Sequence, residues 1–131
     1  MNKRKSYSDA LRLFNQVIRQ LSTCSSCCAT GKSPEPASTL LNALINVLKA
    51  MLALTGQGYY SYSDVTNLAA LLLESGVIDE GMFSEVVNAY LGLRGIIKID
   101  NNYIIGVIHK LIDIAARLDP YLNQQLNLFR Y

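Results

Sequence analysis

The sequence is short of the residue types that build metal centres and hydrolytic active sites. His109 is its one histidine in 131 residues. A single histidine excludes, within one chain, a Ser–His–Asp arrangement and a zinc site built on two histidines. The three cysteines, Cys24, Cys27 and Cys28, form one CxxC, whereas a structural zinc site needs four ligands. We therefore predict no metal centre, and we interpret the cysteines as small residues near a helix end.

A phosphate-binding loop is also lacking. The run Gly31-Lys32-Ser33 resembles the end of a P-loop, but Ser26 stands where the first glycine of that motif belongs. The P-loop also follows a β-strand, and no strand pattern precedes this segment. We therefore predict that the chain binds no cofactor.

Charge and long apolar runs are scarce as well. Only 17% of the residues are charged and the net charge is +2, too little to indicate a polyanion partner by itself. The most apolar stretch, 40–54, contains Asn42, Asn46 and Lys49 and is shorter than the roughly 20 residues that span a bilayer. The basic N-terminus precedes a polar stretch, unlike a signal peptide. We expect a protein without a membrane span, located in the cytoplasm.

The apolar residues that are present recur at helical spacing. Half of the composition is hydrophobic, and neither an alternating strand pattern nor an internal repeat is visible. The predicted helices span about 6–29, from 36 or 38 to 54, from a cap at 63–64 to 73, from 79 to about 97, from 102 or 103 to about 118, and from 120 to about 129. The second is apolar over more than half of its circumference, so we expect it at the centre. These features predict a single all-α domain, 1–131, folded as an up-and-down bundle of five to six helices.

The polar side of the predicted fifth helix carries the single histidine. His109, Asp113 and Arg117 follow one another at spacings of four residues and therefore lie in one stripe. We interpret this stripe as a solvated face with weak pairs along the helix. A dimer contact or a functional site is the alternative.

The layout of the second half resembles a known superfamily. The run 60–65 leads into a short helix ending in Leu72-Leu73-Glu74-Ser75-Gly76-Val77-Ile78. Asp79-Glu80 follows, and then a helix ending in Ala89-Tyr90-Leu91-Gly92-Leu93-Arg94. This order resembles the HEPN superfamily (higher eukaryotes and prokaryotes nucleotide-binding), particularly its compact prokaryotic members. The resemblance covers about residues 5–120 as a pattern, and it implies a helical homodimer.

The specific motif of that superfamily has the form R-x(4–6)-H. Active members resemble metal-independent ribonucleases in which the arginine and the histidine cleave a phosphodiester at the dimer interface. Arg94 matches the arginine, whereas Gly95 replaces the usual polar neighbour. The permitted histidine positions hold Ile99, Asp100 and Asn101. Ile99 cannot move a proton, Asn101 does not titrate, and the Asp100 carboxylate repels phosphate. The resemblance therefore implies a homodimer without catalytic power.

Such a chain is expected to act as a binding subunit. The resemblance implies RNA or a nucleotide as ligand, or a nucleotidyltransferase-type protein as partner in a toxin–antitoxin pair. The binding or dimer cleft is expected at Tyr90, Arg94 and Tyr103. Tyr103 lies slightly beyond the position of the superfamily's tyrosine.

Two other hypotheses stay open. The first is a working metal-independent ribonuclease that uses Arg94 with His109 or Asp100. A helical hairpin turning near Asp100 would place Arg94 and His109 at an axial offset of roughly 4–5 Å. The second is a structural or regulatory dimer with no nucleic-acid role, since helical bundles serve many functions. In that case Arg94 only ends a helix with a favourable charge.

Overall fold

The regular elements of the structure, a computed structural model, are all helices. It describes residues 10, 12–19, 36–55 and 64–118, and no strand occurs among them. The helices are α1 at 12–19, α2 at Pro36–Leu54, α3 at Val65–Glu74, α4 at Glu80–Leu93 and α5 at Asn101–Leu118. The prediction of an all-α helical bundle is confirmed.

Several predicted features lie outside the described residues. They are the two ends of the first helix, the cysteines at 24, 27 and 28, the run 60–63 before α3 and the last helix from 120. The predictions for these segments stay predictions.

The core is built around α2, which packs against α3, α4 and α5. Its buried side chains are all apolar: Leu40, Ala43, Leu44, Val47, Leu48, Ala50, Met51, Leu52 and Ala53. Helix α1 adds Leu13, Phe14 and Val17 to the same cluster. No polar or charged residue is buried among the described residues. Each large apolar side chain contributes about 1.5–3 kcal/mol on full burial, so α2 is the central helix that its composition predicts.

Side chains from the loops cap the beginnings of α3 and α4. The Asp64 carboxylate accepts a hydrogen bond from the Thr66 N–H at 3.1 Å, and the Asp79 carboxylate accepts one from the Met82 N–H at 2.7 Å. These bonds satisfy donors that the first turn of a helix leaves free, and the negative charge suits the helix dipole. The predicted starts of both helices are therefore confirmed.

Helix α4 ends earlier than predicted, at Leu93 instead of about residue 97. Gly95 adopts φ +75°, a left-handed conformation that glycine tolerates best. The Ile96 N–H then donates to the Leu91 carbonyl at 3.0 Å, and the Gly95 N–H donates to the Gly92 carbonyl at 3.1 Å. These two bonds form a Schellman motif, which closes the helix. The prediction was wrong because the apolar Ile96 continues the helical pattern of α4.

Helices α4 and α5 form an antiparallel hairpin with a defined register. The Lys110 ammonium lies 2.7 Å from the Glu85 carboxylate, halfway along both helices. Close to the start of α4, Met82 lines the same cleft as Ile114 and Arg117 near the end of α5. The numbers of two facing residues therefore have nearly the same sum at both places. Half of that sum lies near residues 97–98, which is where the hairpin turns.

The turn of this hairpin packs closely on the last turn of α4. A Cβ atom at Gly92 would lie 2.8 Å from the Cβ of Ile99, which real Cβ atoms do not approach so closely. Ile99 is partly buried against the core by this contact. A glycine at position 92 therefore allows the chain to return directly across α4.

Replacement of Gly92 by alanine is expected to destabilise the fold. The Cβ of Ile99 is attached to the backbone and cannot rotate away, so the turn must shift at a cost of about 1–3 kcal/mol. Urea unfolding of the Gly92→Ala variant measures this loss. Gly106→Ala is the matched control, because its Cβ meets nothing within 4 Å and alanine favours a helix interior by about 0.5–1 kcal/mol. Equal stabilisation by both changes would contradict the close packing at Gly92.

Candidate functional site

Arg94 and Tyr90, two residues of the predicted cleft, lie together at the end of α4. Arg94 is the C-cap residue and is exposed, and its guanidinium carbon lies 5.9 Å from the centre of the Tyr90 ring. This distance permits a cation–π interaction, and the positive charge also suits the helix C-terminus. The tyrosine ring therefore supports a guanidinium group that stays open to solvent.

Tyr103, the third residue of the predicted cleft, stands on the first turn of α5. It is 37% exposed, and its backbone N–H donates to the Asp100 carbonyl at 3.0 Å. In the register of the hairpin, Arg94 is level with about residues 101–102. Tyr103 therefore belongs to the same end of the hairpin as Tyr90 and Arg94.

Asp100 serves as a helix cap in this structure. Its carboxylate accepts a hydrogen bond from the Asn102 N–H at 3.0 Å, and its carbonyl accepts one from the Tyr103 N–H. The side chain is exposed, in the position typical of an N-cap residue at the start of α5. The structure therefore gives Asp100 a structural task, and α5 begins one residue earlier than predicted.

His109 lies on the exposed side of α5, as the sequence predicts. The Glu85–Lys110 pair sets Arg94 nine residues beyond Glu85 along α4, whereas His109 is next to Lys110. At 1.5 Å per residue, the axial separation of Arg94 and His109 is roughly 12 Å rather than 4–5 Å. The difference arises because the hairpin turns near residues 97–98 and not at Asp100. This register does not favour an Arg94–His109 site within one chain, and a site across two chains stays a prediction.

The same pair affects the titration of Lys110. The hydrogen bond from its ammonium to Glu85, together with the negative charge of that carboxylate, raises the pKa of Lys110 above its ordinary value. Both side chains are at least partly exposed, so solvent screens the interaction. The pair therefore indicates the register of the hairpin more than it stabilises the fold.

Two exposed isoleucines in the α4–α5 turn are functional candidates that the sequence pattern did not indicate. Ile96 is 66% exposed and Ile97 is 38% exposed. Both positions were assigned to the last turn of the predicted fourth helix, which was expected to end at about residue 97. The sequence did contain a signal that α4 ends before these isoleucines, namely the pair Arg94-Gly95. The pair Ser75-Gly76 ends α3 in the same way.

A cleft of about 750 Å³ lies at the other end of the hairpin. It is formed by the α3–α4 turn, the start of α4 and the last turns of α5. Its lining is Gly76, Val77, Ile78, Asp79, Gly81, Met82, Glu85, Ile114, Arg117 and Leu118. The walls are mostly apolar, and Asp79 is occupied by its capping bond to α4. The cleft therefore offers an apolar surface with Arg117 as a cation at its edge.

The described ranges hold neither a cluster of metal ligands nor a membrane-spanning helix. In residues 10, 12–19, 36–55 and 64–118, no three histidine, cysteine, aspartate or glutamate side chains gather as metal ligands would. Within the same ranges, no helix has both the length and the apolar character needed to cross a membrane.

Loss of the Asp100 carboxylate is expected to destabilise α5. An N-cap side chain contributes about 1 kcal/mol, so Asp100→Ala should lower the free energy of unfolding by that amount. Asp100→Asn is the matched control, because asparagine caps a helix about as well as aspartate does. Urea denaturation of the two variants makes the comparison. An equal loss in both would mean that the carboxylate acts through its charge and not as a cap.

Comparison of the chain with protein families, with curated proteins and with solved structures finds no match. The HEPN resemblance therefore stays a prediction made from the residues and from the order of the helices.

Proposed function

We propose that the chain is a non-catalytic helical binding subunit. It acts through a surface formed by Tyr90, Arg94 and Tyr103, which we call the pairing surface. Two chains pair there as a homodimer, and the dimer binds RNA or a nucleotide. A nucleotidyltransferase-type protein is the alternative partner that the HEPN resemblance implies.

The observation that carries this proposal is the exposed guanidinium of Arg94 beside the Tyr90 ring. Its carbon lies 5.9 Å from the ring centre, which limits the freedom of a long side chain while leaving its donors open. Arginine and tyrosine are enriched in protein interfaces, and arginine binds phosphate through two parallel hydrogen bonds. Tyr103 adds an exposed ring on which a base can stack.

The surroundings of Arg94 support a binding task over catalysis. Ile99 packs against Gly92, and the Asp100 carboxylate caps α5. His109 lies roughly 12 Å further along the hairpin axis. No histidine therefore accompanies Arg94 on the described part of its own chain. A ribonuclease that depends on histidine would need one from a second chain.

Replacement of Arg94 by alanine is expected to weaken RNA binding. Loss of a charge-assisted hydrogen bond to phosphate costs roughly 1.4 kcal/mol, which corresponds to a tenfold increase in Kd. Fluorescence anisotropy of a labelled single-stranded oligoribonucleotide, titrated at several salt concentrations, measures the change. The salt slope should fall by about 0.7 for each phosphate that the variant no longer neutralises. Arg117→Ala, at the far end of the hairpin, is the control and should bind like the unaltered chain.

The same samples distinguish the other hypotheses. Cleavage of the oligoribonucleotide without added metal, abolished by Arg94→Ala, would favour the ribonuclease. Sedimentation velocity reports the dimer, and Tyr103→Ala should weaken it. A tight dimer that does not bind RNA at low salt would favour the structural dimer. A monomer that binds no RNA would contradict the proposal.

A further inference from the structure

Helices α3 and α4 end in the same backbone motif, but the residues that follow the two motifs differ in exposure. In α3, Gly76 has φ +78° and the Val77 N–H donates to the Leu72 carbonyl at 3.0 Å. In α4, Gly95 has φ +75° and the Ile96 N–H donates to the Leu91 carbonyl at 3.0 Å. Each glycine is followed by two branched aliphatic residues. The exposure of the pair after α4 can therefore be compared directly with that of the pair after α3.

The two aliphatic pairs differ in exposure. After α3, Val77 is partly buried and Ile78 is 3% exposed, because this turn packs against the core. After α4, Ile96 is 66% exposed and Ile97 is 38% exposed. A Schellman motif commonly covers the residue after its glycine against the preceding helical turn. The α4–α5 turn therefore presents aliphatic surface that its local motif does not hide.

Cations flank this aliphatic pair. Arg94 precedes it and Lys98 follows it, and both side chains are exposed. The run 86–99 contains no acidic residue, and the nearby Asp100 carboxylate accepts a hydrogen bond from the Asn102 N–H. The acids of α4 are further away: Glu80 stands in its first turn, about 20 Å along a helix of 14 residues, and Glu85 stands midway and pairs with Lys110. Two exposed cations therefore stand beside one exposed carboxylate, Asp100, and the turn keeps an excess of positive charge. We call residues 94–98 the tip of the hairpin.

The aliphatic pair lies in the turn between the two helices and is open to solvent. Ile96 and Ile97 lie beyond the last residue of α4 and before the first residue of α5, and both are exposed. An exposed aliphatic pair between cations suits a surface that is apolar inside and anionic outside. The headgroup and acyl boundary of an anionic bilayer has this composition.

We propose that the Ile96–Ile97 turn inserts into the surface of an anionic phospholipid membrane, with Lys98 and Arg94 against the phosphate headgroups. The chain then lies on the membrane through one tip and does not cross it. The exposed parts of the two side chains amount to about one whole isoleucine, whose burial is worth roughly a tenfold to hundredfold gain in binding. Each cation near the surface adds about fivefold. The contact is therefore weak and reversible for one chain.

Other occupants fit the tip less well. A second copy placed across a two-fold axis at the Ile96–Ile97 pair would bring its Lys98 against the same cation. RNA would accept the cations, but an isoleucine side chain provides neither a ring for stacking nor a hydrogen bond to a base. Lipid accepts both the aliphatic and the cationic parts. The pairing surface shares Arg94 with the tip, whereas Ile96, Ile97 and Lys98 belong to the tip alone. A homodimer would therefore offer two aliphatic pairs to one membrane and bind it more tightly.

Co-sedimentation of the full chain with phospholipid vesicles tests this inference. The probes are vesicles of phosphatidylcholine alone and vesicles of phosphatidylcholine mixed with phosphatidylglycerol. The chain should sediment with the mixed vesicles, and binding should fall as salt rises. Ile96→Ser with Ile97→Ser should lower the partition coefficient roughly tenfold or more, and Lys98→Gln should lower it about fivefold.

The matched control is Arg117→Gln with Leu118→Ser, a cation and an exposed aliphatic residue at the far end of the hairpin. It should sediment like the unaltered chain, and circular dichroism should find the same helix content in every variant. The inference is overturned if the chain stays in solution with the mixed vesicles. It is also overturned if both vesicle types bind it equally, or if the serine variant binds like the control. Loss of RNA binding in the serine variant, with vesicle binding intact, would assign the tip to RNA instead.

Discussion

The burial of α2 is the constraint on which the rest of the structure depends. This helix is apolar on most of its surface, so it needs neighbours on several sides before its side chains leave water. Helices α3, α4 and α5 all pack against it, and together with α1 they form one continuous cluster. The orientations of these helices follow from the need to cover the apolar surface of α2. The hairpin of α4 and α5 therefore has one side packed against the core, and the turn exposes residues 94–98 while Ile99 returns to the core.

Glycines then decide which residues the hairpin exposes. Gly92 lets Ile99 return across the end of α4, and Gly95 supplies the left-handed residue that closes the helix. Because the chain turns so early, Ile96 and Ile97 fall in the turn and not on a buried helical face. Arg94 becomes a cap residue whose guanidinium rests on Tyr90. Gly95 thus stands between Arg94, the last residue of the pairing surface on α4, and the aliphatic pair that follows it.

The sequence is sufficient for the described helices, except the end of α4, and for the central place of α2, because apolar spacing and capping residues act over a few positions. It does not predict the register of α4 against α5. That register is shown by the Glu85–Lys110 pair, and the close approach of Ile99 to Gly92 is a contact that no sequence pattern reveals. The error at the end of α4 had the same origin, since an apolar run after Arg94 looks like more helix until the left-handed Gly95 is placed. The axial separation of Arg94 and His109, roughly 12 Å, follows from that register. The sequence therefore could not predict it either.

The described core contains no buried polar or charged residue. These apolar side chains are therefore positioned by their shape and volume. Cores of this kind tolerate exchanges among leucine, isoleucine, valine and methionine, provided that the total volume is kept. Over evolutionary time, most core residues of such a fold can be replaced while the helices keep their positions. Ancestry would then be recorded better in the caps and the turn glycines than in the core.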